Sequence, residues 1–391
     1  MFQKIIEDLD FAIQWLPEAG SEEANRLNKD IARHVKARFC LNEGTHYKYH
    51  DELEYASEAE KWLQMAATES DKLITSGRYE IYNTGHPQED YFNMYRIDDK
   101  SDLKEAVLYV DYKTNIREHN MAAAGREAGC GFSKSFVESF LCSDGLPISL
   151  SNKYLGDETM RKETANRDPR LKQLILTNDF PTNVTDDLKD STFVVNEDEF
   201  ITQHCFTGYR PIKGFNPIYS QALYMKSSFD GIAYRYAETL LINAEAKAEL
   251  NTITDADLDR TINQLRDRVG MPHLTVNVGF TDPKWPDWGY SLSPVLQEIR
   301  RERCIELAGE GFRFNDLKRW KAGKLLNNVL TYVGKRKPDG NLAIVYPNYT
   351  NPDLSYQAGK SRTWEDKMYL YPIPTGELQR NPQLLPQNPG W

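Results

Sequence analysis

Three glutamates recur at every fourth position of one predicted helix, in the pattern that could supply paired carboxylates for sugar hydrolysis. They are Glu298, Glu302 and Glu306. In a glycoside hydrolase one carboxyl group acts as an acid and the other as a base or nucleophile. Like charges four residues apart repel each other unless they are neutralised, and Arg301 and Arg303 stand in the same segment. An ion-pair lattice between helices is therefore the favoured interpretation, and catalysis is the alternative.

Patterns that could hold a metal ion are weak. His46 and His50 would share a helix face, but no third ligand is dictated by the sequence. The aspartates of residues 255–259 have the spacing that opens a calcium loop, yet Arg260 stands where such a loop needs glycine. The acidic first turn of a helix accounts for them better, because the helix dipole favours negative charge there. We expect no metal site and no cofactor.

A loop at residues 285–290 places three aromatic rings among proline, aspartate and glycine. The sequence predicts that Trp285, Trp288 and Tyr290 are exposed on a turn, where their flat faces can stack on sugar rings. Asp287 would accept hydrogen bonds from hydroxyl groups. The alternative is that these rings fill a gap in the fold.

A second candidate site is the polar loop that follows a predicted strand at residues 106–112. Its amide, guanidinium and imidazole groups would select polar ligand atoms, and an ordinary solvated loop is the alternative. The candidate ligand-binding side chains of this segment are Tyr112, Asn115, Arg117, His119, Asn120 and Arg126.

The composition narrows the class of protein that must position these residues. The chain has 391 residues, and 48 basic against 58 acidic side chains give a net charge of −10. An acidic balance disfavours nucleic acid as the main partner, since phosphate binding requires a clustered basic face. No apolar run approaches the roughly 18 residues of a membrane-spanning helix. Five scattered cysteines without a C-x-x-C pair indicate neither a disulfide framework nor a zinc site.

Hydrophobic periodicity predicts a mainly helical chain with one long irregular section. Apolar residues at helical spacing and terminal glycines indicate helices over residues 2–13, 29–46, 57–76, 234–250, 255–269, 294–309 and 315–322. Residues 113–230 lose this periodicity, and a segment of this length is too long to be a single loop without structure of its own. We therefore expect irregular structure with its own packing there, and coil over residues 331–391.

Five segments in fixed order resemble the SusD/RagB family of outer-membrane nutrient-binding lipoproteins. They are DGLPI at 144–148 with NRDPRL at 166–171; YRYAE at 234–238 with NAEA at 243–246; NQLRDRVG at 263–270; RERCIELA at 301–308 with EGFRFNDLKRW at 310–320; and YPIP at 371–374 with Glu377, NPQL at 381–384 and QNPGW at 387–391. Each segment alone is weak, and together they are specific.

The resemblance implies a mainly α fold, in which tetratricopeptide-like helical hairpins form a scaffold and long irregular insertions with a few short strands build a ligand surface. It implies non-catalytic binding of a glycan at the cell surface, for uptake with a SusC-like TonB-dependent transporter of the outer membrane. A peptide-binding uptake protein of the same fold is the first alternative, and a glycoside hydrolase is the second. A further hypothesis is an interaction module, in which the helical scaffold binds a protein or peptide and has no glycan role.

The resemblance also implies a domain organisation and two departures from the family pattern. We expect a single SusD-like domain over residues 1–391, with the helical scaffold at 1–76 and 231–330, the ligand-surface insertion at about 106–230 and C-terminal coil at 331–391. The family's lipoprotein signal and first helices are expected to be missing before residue 1, and with them the lipid anchor. The loop after the strand carries Arg117 and Arg126, which favours a polar or anionic ligand over starch.

Overall fold

A computed structural model describes residues 2–21, 25–121, 131–202, 205–344 and 363–391. The helices are α1 Phe2–Trp15, α2 Lys29–Tyr49, α3 Ala59–Thr75, α4 Asp90–Asn93, α5 Lys134–Ser139, α6 Met160–Thr164, α7 Arg170–Leu174, α8 Tyr236–Glu249, α9 Asp255–Asp259, α10 Ile262–Arg268, α11 Pro294–Glu306, α12 Arg313–Arg319 and α13 Thr375–Arg380. The strands are β1 Ala106–Val110, β2 Pro181–Val184, β3 Ser191–Phe193, β4 Gly231–Arg235, β5 Val333–Arg336 and β6 Leu342–Ile344. The predicted mainly helical fold is confirmed.

Local signals mark the start of α2 and the end of α3. Asn28 caps α2, because its side-chain oxygen accepts hydrogen bonds from the backbone N–H groups of Asp30 and Ile31 at 3.0 and 3.1 Å. Helix α3 is followed by Gly77 at φ +65°, the left-handed position that glycine adopts without strain. Helices α2 and α3 pack against each other as a hairpin, and α1 lies on α2.

Helix α8 lies at the centre of the scaffold, with 13 of its 14 residues buried. Its small alanines let α3 and α11 approach closely. Glu238, Glu245 and Glu249 are buried on the same helix, and each is paired with an arginine from another helix. The pairs are Arg38–Glu238, Arg319–Glu245 and Arg300–Glu249. Buried carboxylates require such partners, because an unpaired charge in the interior is costly.

Several predicted helix boundaries are wrong by two or three residues, since α2 continues to Tyr49, α11 ends at Glu306 and α12 spans Arg313–Arg319. Two further errors have a physical reason in the structure. The predicted helix over residues 255–269 is two helices, because the backbone at Thr261 leaves the helical region at φ −130° and ψ −92°. Tyr234 and Arg235 belong to β4, which pairs antiparallel with β1. This strand pairing depends on a partner more than 120 positions away in the sequence, so helical periodicity alone did not reveal it.

Residues 113–230 contain irregular structure, as predicted, but their hydrophobic core is shared with residues outside the section, including Tyr91, Phe92, Val269 and Met271. Short helices and the β2–β3 hairpin surround buried side chains such as Phe140, Leu171 and Tyr209. The same cluster includes Ile305 and Ala308 at the end of α11. The insertion is therefore packed directly onto the helical scaffold.

The prediction of coil over residues 331–391 is wrong for part of that range. Strands β5 and β6 form an antiparallel hairpin, and α13 follows near the C-terminus. The turn between the two strands contains Asp339 and Gly340, a combination typical of hairpins. Residues 345–362 lie outside the described part of the chain.

Candidate functional site

The polar loop after β1 lies against a second loop that precedes β4. His119 and Ser227 exchange two backbone hydrogen bonds, at 2.9 and 3.1 Å, which align the two segments antiparallel. The side-chain oxygen of Asn120 accepts a further bond from the backbone N–H of Met225 at 3.1 Å. We call residues 112–121 and 216–229 together the loop platform.

The His119 side chain connects the two halves of the loop platform. Its Nε2 donates to the carbonyl of Phe229 at 2.8 Å, and its Nδ1 accepts from the backbone N–H of Met121 at 3.1 Å. The ring packs edge-on against Tyr112 and Phe229, with centroids 4.4 and 4.6 Å away. Burial lowers the pKa of His119, which favours the neutral ring that these two bonds require. Both ring nitrogens are occupied, so this side chain positions the loop and offers a ligand no free nitrogen.

The other predicted residues of the loop lie at its surface. Backbone hydrogen bonds between Lys113 and Arg117 close a tight turn, in which Asn115 takes a positive φ of +62°. The Arg117 guanidinium lies 5.0 Å from the ring centroid of Tyr112. Asn115 and Arg117 are exposed, whereas Tyr112 and Asn120 are half-buried. Arg126 lies outside the described residues.

The second half of the loop platform presents aromatic side chains that the sequence analysis missed. Tyr219 is 53% exposed and Tyr224 is 74% exposed. Their segment is held by backbone hydrogen bonds of 2.8 and 2.9 Å between Val184 of β2 and residues 217 and 219. Tyr219 follows Asn216 and Pro217, which are turn-forming residues. The aromatic loop at residues 285–290 was selected because its rings also stand among turn-forming residues. The same composition signal was therefore present here.

The aromatic loop at residues 285–290 is packed into the scaffold. The prediction that its rings are exposed is wrong for Trp288, which is 5% exposed. The Trp288 indole donates to the side-chain oxygen of Gln297 at 2.6 Å and meets the ring of Trp320 edge-on at 5.5 Å. The physical reason is a buried cation, because the Arg300 guanidinium lies 4.8 Å from the Trp288 ring centroid.

The other three predicted residues of this loop are partly or fully at the surface. Trp285 is half-buried, and its indole donates to Glu298 at 2.7 Å. Tyr290 donates its hydroxyl to the carbonyl of Trp320 at 2.5 Å, and its pKa is raised to about 12, chiefly by burial. Asp287 is exposed. The structure thus attaches this loop to α11 and α12, whereas the loop platform is attached to β2 and β4.

The glutamate column of α11 is an ion-pair lattice, as favoured from the sequence. All three carboxylates are buried, and each is paired with at least one arginine. The pairs are Arg301–Glu298, Arg266–Glu302, Arg170–Glu302, Arg170–Glu306, Arg235–Glu306 and Arg268–Glu306. Burial alone would raise the pKa of Glu306, but Arg268, Arg235 and Arg170 outweigh it and hold this pKa well below its usual range.

A model described as the SusD family matches residues 66–391 of this chain. The chain belongs to the SusD family. The predicted family is thereby confirmed, and the matched range includes all five segments that carried the resemblance.

One sequence relative and two solved structures align with this SusD family member over 98–100% of its length. SusD-like protein P2 of Formosa agariphila is 24% identical over 404 residues, covering 100% of this chain and 65% of the relative. A crystal structure of a SusD-like protein from Bacteroides fragilis is 25% identical, with a TM-score of 0.70 and coverage of 100% of this chain and 70% of that one. A SusD-like carbohydrate binding protein from the same species is 21% identical, with a TM-score of 0.68 and coverage of 98% and 70%. The chain thus spans less than two thirds of the length of the Formosa relative.

Two further observations on this SusD family member concern metal binding and membrane-spanning helices. Among the residues that the structure describes, His, Cys, Asp and Glu side chains form no group of three or more that could hold a metal ion. His46 and His50 instead stack on each other with centroids 4.1 Å apart. Within the same described ranges, every helix is too short or too polar to cross a membrane.

Proposed function

We propose that this protein binds a glycan at the cell surface without cleaving it, and passes it to a SusC-like TonB-dependent transporter of the outer membrane. The observation that carries the proposal is the loop platform, where Tyr219 and Tyr224 are exposed beside polar side chains on a hydrogen-bonded frame. Exposed aromatic rings supply flat apolar area for sugar faces, and amides select hydroxyl groups. The structural similarity to the SusD-like carbohydrate binding protein from Bacteroides fragilis supports the same interpretation.

The charge state of the α11 glutamates supports glycan binding over glycan hydrolysis. A general acid must hold a proton near neutral pH, which requires a raised pKa. Glu306 has the opposite shift, because three arginines stabilise its charged form. Glu298 and Glu302 are buried in the same lattice. Glu118 is the one carboxylate among the described residues of the loop platform, so the hydrolase alternative lacks a carboxyl pair within that described surface.

The proposed ligand contacts combine residues predicted from the sequence with the two missed tyrosines. Asn115, Arg117 and Asn120 would bind hydroxyl or acidic groups, and Tyr112 lies beneath the Arg117 guanidinium. Trp288 is omitted because its ring is buried. A ligand role for Trp285, Asp287 and Tyr290 stays a prediction, as does one for Arg126.

The test is a glycan array, followed by calorimetry with the oligosaccharide that binds most strongly. Tyr224→Ala should weaken binding about fivefold, since an aromatic stacking contact contributes roughly 1 kcal/mol. The matched control is Tyr371→Ala, which removes a tyrosine that is 70% exposed near the C-terminus. Unchanged affinity in the double variant of Tyr219 and Tyr224 would exclude the loop platform as the binding site.

A peptide ligand is the second candidate, and one observation favours it. The loop platform also exposes aliphatic side chains, with Ile116 77% exposed and Leu223 and Met225 nearby in the same paired segments. Apolar patches of this kind suit peptide side chains better than sugar hydroxyls. A peptide library screened beside the glycan array separates the two, because Ile116→Ser should weaken peptide binding more than glycan binding.

A further inference from the structure

Aromatic side chains from α1, α2, α3 and the segment between α2 and α3 form one continuous cluster. Its members are Phe2, Phe39, Tyr47, Tyr55 and Trp62, and each ring centroid lies 5.3–6.4 Å from at least one other. Tyr47 and Trp62 are 8% and 4% exposed. Phe2 and Tyr55 are 38% and 54% exposed. The aromatic cluster therefore has buried rings at its base and two rings open to solvent.

One carboxyl group stands on the helix face that carries two of these rings. Phe39, Glu43 and Tyr47 follow each other at every fourth position of α2, so they share one face of the helix. Two such steps span about 12 Å along the helix axis. The Phe2 ring centroid is 6.0 Å from that of Phe39 and 6.4 Å from that of Tyr47. The Phe2 ring thus lies between the other two, at the level of Glu43.

The charge of Glu43 is not compensated within the described part of the chain. The side chain is half-buried, and it makes no hydrogen bond or ion pair with any residue that the structure describes. Burial raises the pKa of Glu43 to about 7. Burial and then the Glu43 charge raise the pKa of Tyr47, which places the carboxyl group close to the Tyr47 hydroxyl. Carboxylates removed from water normally have a donor or a cation beside them, so this one is suited to a cation from outside the chain.

The rings of the cluster favour the same kind of ligand. Aromatic faces attract cations, and the Lys61 ammonium lies 5.9 Å from the ring centroid of Trp62. Lys61 is paired with Glu58 at 3.9 Å, and it makes no ion pair with Glu43. The cluster therefore combines ring faces with a carboxylate that still lacks a positive partner.

We propose that Glu43 and the exposed rings of Phe2 and Tyr55 bind a primary alkylammonium group, with its N–H groups on the carboxylate and its methylene stem on the rings. A primary ammonium suits the site better than a quaternary one, because it can donate charge-assisted hydrogen bonds to the carboxylate. Methylene stems of amines pack well on apolar surface while the charged end stays polar. The inference goes beyond the proposed function, since a neutral sugar cannot compensate the charge of Glu43.

The test is calorimetry on the whole chain at pH 8, where most Glu43 carboxyl groups are ionised. The probes are n-butylammonium and, as the neutral match of equal length, n-butanol. n-Butylammonium should bind at least about tenfold more tightly than n-butanol, and added salt should weaken its binding, because the charge makes the difference.

A third probe distinguishes the two sources of an alkylammonium group, a free amine and a lysine side chain of another protein. Nα-acetyl-lysine amide carries the same four-carbon stem on a blocked backbone. Tighter binding of this probe than of n-butylammonium assigns the site to a lysine of a partner protein. Equal or weaker binding assigns it to a free amine.

Two variants and a control locate the site. Glu43→Gln should reduce n-butylammonium affinity at least about fivefold, and the chain should stay folded because the lost charge has no partner in the protein. Tyr55→Leu should reduce the affinity about threefold, since one exposed ring is lost. The matched control Glu60→Gln removes an exposed carboxyl group on α3 and should leave the affinity unchanged. Far-UV circular dichroism checks the fold of each variant.

Two outcomes would overturn the ammonium site. The first is equal affinity for n-butylammonium and n-butanol, and the second is full n-butylammonium binding in Glu43→Gln. Tyr224→Ala separates this inference from the proposed function, because that variant should weaken the glycan selected on the array and leave n-butylammonium binding intact.

Discussion

Arg300 explains at the level of single residues why the Trp288 ring lies inside the protein. Its guanidinium is 4.4 Å from the ring centroid of Trp320 and 5.0 Å from that of Tyr49, and it is paired with Glu249 at 2.9 Å. A desolvated cation gains strongly from aromatic faces. The proline and glycine of the loop correctly indicated a turn. They carried no information about a cation on another helix, so the burial of Trp288 was not predictable from the local sequence.

Glu306 should make the stability of the protein depend on pH in the acidic range. Its folded-state pKa is depressed, so the stabilisation is present above the unfolded value of about 4.5 and is lost as the pH falls toward the folded pKa. We expect the free energy of unfolding to fall as the pH is lowered below about 4.5. Glu306→Gln should cost roughly 3–5 kcal/mol at pH 7, because it leaves buried arginines uncompensated, and should flatten the acid slope. Urea unfolding followed by far-UV circular dichroism at several pH values measures both.

The matched control for this prediction is Glu377→Gln. Glu377 is exposed on α13 and pairs with Arg380 at 3.0 Å. Exposed pairs of this kind contribute less than about 1 kcal/mol, so the pH profile should be unchanged. An acid slope in Glu306→Gln as steep as that of the wild type would show that other carboxylates dominate.

At the scale of elements, the predicted helices match the structure where capping signals are local. Two helices begin directly at their predicted capping signals, α2 after Asn28 and α11 after Ser293. Helix α3 ends two residues before Gly77. The predictions fail at the Thr261 break, where the helical periodicity of residues 255–269 runs on across a change of backbone conformation, and at β4, which depends on its distant partner β1. The loop platform shows the same division. The polar half was predicted from residues 112–121, while its pairing with residues 216–229 depends on hydrogen bonds across more than 100 positions.

Gly77 offers a test of how a helix end contributes to stability. It has a positive φ of +65°, and a Cβ added there would meet no atom within 4 Å. Gly77→Ala should therefore lower the free energy of unfolding by about 1 kcal/mol through backbone strain alone. The control is Gly376→Ala in α13, where space is equally open and φ is not positive. There alanine should be neutral or stabilising by a few tenths of a kcal/mol, and equal losses in both variants, measured by urea unfolding, would contradict the strain argument.

At the scale of the whole molecule, buried charges join the insertion to the scaffold. Arg170 of α7 bonds Asp168 beside it, and reaches Glu302 and Glu306 of α11. The insertion core also includes Ile305 and Ala308 of the same scaffold segment. Polar and apolar contacts therefore cross the same boundary, which favours unfolding of both parts in a single cooperative step.

Arg170→Met should uncouple the two parts, and the chain contains separate probes for each. All seven tryptophans lie outside residues 106–230, so tryptophan fluorescence reports on the scaffold and the C-terminal region. Cys142 and Cys205 are buried free thiols inside the insertion, and their labelling in urea can be located by mass spectrometry. In the wild type the two signals should change at the same urea concentration. In the variant the thiols should react at a lower urea concentration than the one at which tryptophan fluorescence changes. The reason is that removing Arg170 leaves Glu302 and Glu306 with fewer partners, at a cost of roughly 3–5 kcal/mol.

The control is Arg161→Met, which removes an exposed pair with Asp179 at 3.7 Å and should leave the two signals coincident. Equal shifts of both signals in Arg170→Met would mean that the apolar contacts alone couple the insertion to the helices.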